Sequence, residues 1–134
     1  MTTFNVYKVS YASGTIRTRY ALFVEAEENN CGYFIHVFGD VQQGMDYKVY
    51  TGGGSDRGIK VENVDGFLGK ELLGVVQKVK LMDFMDACEM VPPPWKQLDA
   101  LGRRIDRERP LYRDREWVEE VVQKLKDAGL LQAI

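Results

Sequence analysis

The chain has 134 residues, 45% of them hydrophobic, with 18 basic against 20 acidic side chains and a net charge of -2. That length fits one domain, residues 1–134, which buries roughly two-thirds of its unfolded surface; the near-neutral balance supplies no field to recruit nucleic acid or an anionic membrane. No stretch approaches the ~20 apolar residues of a membrane span, and the two cysteines, Cys31 and Cys88, lack zinc-knuckle or redox spacing, so reduced thiols in a cytoplasmic protein are expected, although a disulfide is not ruled out.

Phe4 to Tyr11 reads as a first strand ended by Ser13-Gly14, and Thr18–Glu25, rich in strand formers, as a second that closes on the polar cluster Glu27–Asn30. Cys31–Phe38 is apolar on both alternations and ends at Gly39-Asp40, which predicts a central strand covered on both faces. Met45–Tyr50 alternates apolar and polar, completing an antiparallel meander. Thr51–Gly58 invites comparison with a phosphate loop, but Ile59-Lys60-Val61 stands where Lys-Ser/Thr must follow the last glycine, so a plain loop is the better reading. The next strand is expected around Leu72–Val79, with Gly69 and Gly74 weakening its pattern. Met82–Met90 has helical spacing and is stopped by Val91 and Pro92-Pro93-Pro94. Trp95 follows as a lid or wall, and Leu98, Leu101 and Ile105 predict one more short exposed helix within 96–109.

The last segment carries the clearest signal. Pro110 bars continuation from upstream, and Asp114 is expected to cap a helix with an acidic first turn. Trp117, Val118, Val121, Val122 and Leu125 form its apolar face, and Gly129 supplies the stop. Strands followed by helices give an α+β domain in which this C-terminal helix packs on the meander.

Arg19-Tyr20-Ala21-Leu22-Phe23-Val24, Gly32 to Gly39, Gly44-Met45-Asp46-Tyr47 and Trp117-Val118 together resemble small fungal proteins that look like circularly permuted papain-like domains, akin to NlpC-type peptidases and lecithin:retinol acyltransferase-like enzymes. In that pattern a histidine opens the strand read here as Arg19–Phe23, and a cysteine opens the helix three residues before the tryptophan, where the helix N-terminus favours the thiolate. Asp114 stands at the cysteine's place and Arg19 or Tyr20 at the histidine's. Cys31 and Cys88 lie elsewhere, so thiol hydrolysis is not expected.

The paired replacement suggests an ion pair between Arg19 and Asp114, against the alternative that both are solvated and Asp114 only caps its helix. His36, the one histidine, is either a surviving site member or a packed core histidine. The candidate catalytic residues are therefore Arg19, His36 and Asp114, with Tyr20, Trp95 and Trp117 as substrate-binding walls. One histidine and two distant cysteines imply no metal. The function expected is a cofactor-free cyclase or isomerase acting on an apolar small molecule in a degenerate papain-like groove. The alternative is a non-catalytic pseudoenzyme serving as a binding or protein-interaction module. Residual thiol chemistry at Cys31 or Cys88 is a third, weaker reading. Oligomeric state is not encoded in any of these features.

Overall fold

The structure, a computed structural model, describes residues 3–12, 17–26, 31–50 and 59–134. Ser13-Gly14, the 27–30 turn and the glycine-rich 51–58 segment lie outside the described residues. Six strands are present among them: β1 Thr3–Ala12, β2 Thr18–Glu25, β3 Cys31–Asp40, β4 Gly44–Tyr50, the two-residue β5 Ile59–Lys60, and β6 Phe67–Gln77. Two α-helices follow, α1 Leu81–Met90 and α2 Asp114–Asp127. The fold is α+β, with an antiparallel sheet in the spatial order β4-β3-β2-β1-β6 and β5 added beside β3.

Strand alternation divides the chain between two faces. On one, Val6, Leu22, Val24, Ile35, Val37 and Val76 meet Phe84 and Cys88 of α1 and Trp117, Val118, Val121 and Leu125 of α2. On the other, Val9, Tyr11, Ala21, Phe23 and Phe34 are covered by Val61 from a 3-10 turn at Val61–Asn63. Coverage on both sides explains why Ala21, Leu22, Phe23 and Val24 are consecutive and all fully buried.

Four expectations shift. The middle of the sheet is β2 rather than β3, because β6 returns to pair with β1 and adds a strand on that side. β6 itself begins at Phe67 and ends at Gln77, where a 3-10 turn, Lys78–Lys80, leads into α1. Its register slips at Val6/Tyr7 opposite Gly74, and a Cβ on Gly74 would come within 2.3 Å of the Gln132 carbonyl oxygen. The glycine thus admits the C-terminal tail, which exchanges two hydrogen bonds with Val75 at 2.8 and 2.9 Å. The helix expected in 96–109 is absent. Asp99 turns the chain instead, its Oδ1 accepting the Leu101 and Arg103 N–H groups, and Leu98 bridges Arg104. With Leu101 and Ile105 exposed, a helix there would have had no apolar face to bury. Finally, α2 is capped one residue early: Arg113 is the N-cap, and its N–H donates to Glu116 Oε1 at 2.7 Å. Gly129 ends α2 as expected, at φ 72°.

Candidate functional site

Asp114, freed from capping, reaches into the sheet. The β1–β2 ladder continues to Ala12↔Thr18 and the β3–β4 ladder to Asp40↔Gly44, but β2 and β3 pair only from Leu22↔Ile35 to Glu25↔Gly32. Beyond Leu22 the sheet opens as a fork, which leaves β2 backbone groups in need of partners. Asp114 Oδ2 supplies one by accepting the Tyr20 N–H at 2.8 Å, and Arg17 Nη2 lies 3.9 Å from Oδ1. The carboxyl is thereby taken out of water, at 2% exposure. One turn on, Trp117 is fully buried beneath Tyr47, with ring centroids 6.0 Å apart, and its Nε1–H donates to the Val91 carbonyl at 3.1 Å. Both side chains are thus buried and hydrogen-bonded.

The opposite face differs. Tyr11 and Arg19 are cross-strand partners there, on the side of Ala21 and Phe23. Phe34, His36 and Phe38 follow one another along β3 with ring centroids 4.8 and 5.9 Å apart, and Tyr11 meets Phe34 edge-on at 5.5 Å. Three buried polar atoms here have no hydrogen-bond partner: Arg19 Nε, Arg19 Nη1 and His36 Nδ1. Each is an unmet demand, since a buried polar atom left without a partner costs about 1–3 kcal/mol. Beside them lies a cleft of about 590 Å³ lined by Tyr11, Phe34, His36, Tyr50, Val64 and Asp65 among others.

Burial pushes the His36 imidazole down to about 4, helped by the positive charges of Lys48 and Arg19, so it is uncharged at neutral pH. Burial also raises the Tyr11 phenol to about 12, with the Asp114 charge adding to the shift and Arg19 opposing it. Arg19 therefore acts electrostatically on both Tyr11 and His36. The cleft presents a neutral imidazole, aromatic walls and the Asp65 carboxylate, with the Arg19 nitrogens buried behind that lining, and its aromatic walls can hold a flat molecule.

The six sequence-derived candidates fall into three places. Arg19 and His36 share the face with the cleft. Asp114, Tyr20 and Trp117 belong to the helix side, where a recess of about 470 Å³ is lined by Arg17, Thr18, Tyr20, Arg113 and Glu116 among others. Trp95 is in neither: it stacks on Tyr112 at 5.3 Å and walls a shallow hollow of about 210 Å³ with Gln97 and Ile105. The ion pair expected between Arg19 and Asp114 is replaced by one from Arg17, because β2 alternation directs Arg19 to the far side of the sheet. Of the two residues offered for the histidine's place, Tyr20 is the one on the helix side. Reading by composition missed Tyr11 as a site residue and the Asn63–Asp65 rim; strand parity alone aligns Tyr11 with Arg19. Among the described residues no group of three His, Cys, Asp or Glu side chains is placed to hold a metal. Cys88 is fully buried, and burial lifts its thiol to about 12. Among the same residues no helix is long and apolar enough to cross a membrane.

A family described as a family of unknown function (DUF6540) matches residues 6–132. No curated protein and no solved structure matches the chain.

Proposed function

For this chain, which belongs to the family of unknown function DUF6540, we propose a cofactor-free enzyme of the cyclase or isomerase type that acts on an apolar small molecule in the cleft beside Arg19 and His36. The observation that carries this reading is the set of orphaned buried atoms, Arg19 Nε and Nη1 and His36 Nδ1, next to an aromatic cleft. A bound carbonyl oxygen accepting from Arg19 would satisfy the guanidinium, and the same contact would stabilise the negative charge of an enolate. The uncharged His36 imidazole would take the proton from carbon and return it to a different carbon, which isomerises the substrate with no net change in protons or electrons. No other reactant is needed.

The finer fold in this proposal is a permuted papain-like domain whose thiol site has been given over to structure. Its support is positional: Asp114 opens the last helix three residues before Trp117, where the resemblance puts the nucleophile, and it meets β2 at Tyr20. A carboxylate so sealed has no room for an acyl group. The same sealing favours a second reading, a non-catalytic binding protein that kept only a pocket.

Incubation of the full chain in D2O with a panel of apolar enones and β-diketones separates the two. Protein-dependent deuterium incorporation at carbon, lost in Arg19→Met and in His36→Phe, is the result expected of the enzyme. Ligands that bind without exchange would leave the binding protein.

A further inference from the structure

We infer that the recess on the helix side of the sheet is a second binding site, which takes the phosphate monoester of a small hydroxylated molecule such as a sugar phosphate. It lies across the sheet from the aromatic cleft and stands whether or not that cleft is catalytic. Two elements build it, with Arg17, Thr18 and Tyr20 at the start of β2 facing Arg113, Arg115 and Glu116 at the opening of α2. Three guanidinium groups thus converge on one recess of about 470 Å³ in a chain whose net charge is -2.

The nearby carboxylates do not use up that charge. Asp114 is turned inward at 2% exposure, with Oδ2 on the Tyr20 N–H and Arg17 Nη2 3.9 Å from Oδ1. Glu116 Oε1 is held by the Arg113 N–H at 2.7 Å, so the helix end is already capped and the recess depends on its side chains. Arg115 meets Glu119 at 3.4 Å in an exposed pair of the kind a ligand displaces at little cost. Arg113, half-buried, forms no ion pair among the described residues. Within the lining, three guanidinium groups face the one carboxylate of Glu116, a surplus that a dianion balances and a monoanion leaves half met. A phosphate monoester is that dianion at neutral pH, and its three terminal oxygens suit the planar forks of arginine.

The adjoining surface sets the rest of the ligand. Thr18 and Tyr20 also border a hollow of about 500 Å³ whose other walls include Lys8, Ser10, Lys70 and Glu71. Hydroxyl, ammonium and carboxylate groups there can exchange hydrogen bonds with ligand hydroxyls. The Tyr20 ring is covered by the Lys8 ammonium at 5.7 Å, so a flat apolar body finds no open ring to stack on.

The test titrates the full chain at neutral pH with glucose 6-phosphate, glucose 6-sulfate, glucose and inorganic phosphate, read by amide NMR shifts. Glucose 6-phosphate is expected to bind at least about fivefold more tightly than the sulfate, which has the same shape and one charge fewer. It should move Thr18, Tyr20, Arg113 and Glu116 together and leave Phe34 and His36 in place, and glucose should not bind. Arg113→Gln, which keeps the backbone N–H that Glu116 holds, should weaken the phosphate ester at least about fivefold, whereas Arg107→Gln, at an exposed arginine outside the recess, should leave it unchanged. Inorganic phosphate binding as tightly as the ester would overturn the hydroxylated body. Equal affinity for phosphate and sulfate, equal losses in the two variants, or shifts spread over other arginines would reduce the recess to diffuse surface charge and overturn the site. The comparison of ligands in the unsubstituted chain decides the matter even if a variant fails to fold, and none of these outcomes bears on proton exchange at the cleft.

Discussion

Arg19 and His36 keep buried polar atoms without partners, and for His36 that burial predicts a pH dependence. Because burial lowers His36 to about 4 from its ordinary 6.5, the folded chain binds fewer protons than the unfolded one between those values. Its contribution to stability is therefore fully present above pH 6.5 and is lost as the pH falls through about 4. Urea midpoints measured from pH 7 to pH 4 should decline less steeply in His36→Phe than in the parent chain, and an imidazole titrating near 6.5 in the parent would contradict the burial. Asp114 is the converse case, a buried charge with its partners in place. Asp114→Ala strands the Tyr20 N–H and leaves Arg17 without this carboxylate, which should cost about 2–4 kcal/mol in urea unfolding. Asp114→Asn keeps an oxygen for the Tyr20 N–H and should lose about half as much. At this scale the sequence was informative about identity but not about partnership. It marked Arg19, His36 and Asp114 as unusual, yet which cation met the carboxylate depended on strand parity, and Arg17 stands beyond any periodic pattern.

Among the elements, those with a strong period were the legible ones. β2 was read with its observed ends, and α2 was placed within a residue, since Pro110, the acidic first turn and Gly129 are local signals that need no tertiary context. The 96–109 segment departs from its expected helix because three apolar residues at helical spacing say nothing of whether a surface exists to cover them, and the Asp99 turn supplies a nearer alternative. Two substitutions probe the elements that shape the fork. Trp117→Phe loses the bond to the Val91 carbonyl and part of the ring, and should lower stability by about 1–3 kcal/mol with the cleft on the other face undisturbed. Gly32→Ala puts a Cβ within 1.8 Å of the Val24 carbonyl oxygen in the ladder that remains between β2 and β3. Backbone cannot yield there as a side-chain end would, so that variant should fold poorly, as read by circular dichroism and soluble yield.

For the molecule as a whole, the two faces of one sheet have parted company. The helix-side core is filled by Trp117, Phe84 and Leu125, with a recess at its edge beside Tyr20 and Arg113, whereas the far side has an aromatic cleft and three orphaned atoms. The α+β class followed from the order of elements, but the separation of the candidate residues between faces did not, since it depends on where the hairpins set their registers. Thiol chemistry has no foothold at Cys88: fully buried, with its thiol raised to about 12, it should resist iodoacetamide at pH 7.5 in the folded chain and react once the chain is unfolded in urea. Rapid carboxymethylation of Cys88 under native conditions would reverse that assignment. The proposed working site lies on the sheet face away from the helices. It is tested most directly by a fragment screen of apolar ring compounds against the uniformly labelled chain, with amide shifts mapped residue by residue. Binders are expected to move Tyr11, Phe34, His36, Tyr50 and Val64 together and to leave Tyr20 and Trp117 in place; binders that gather instead around Tyr20, Arg113 and Glu116 would place the site on the helix side.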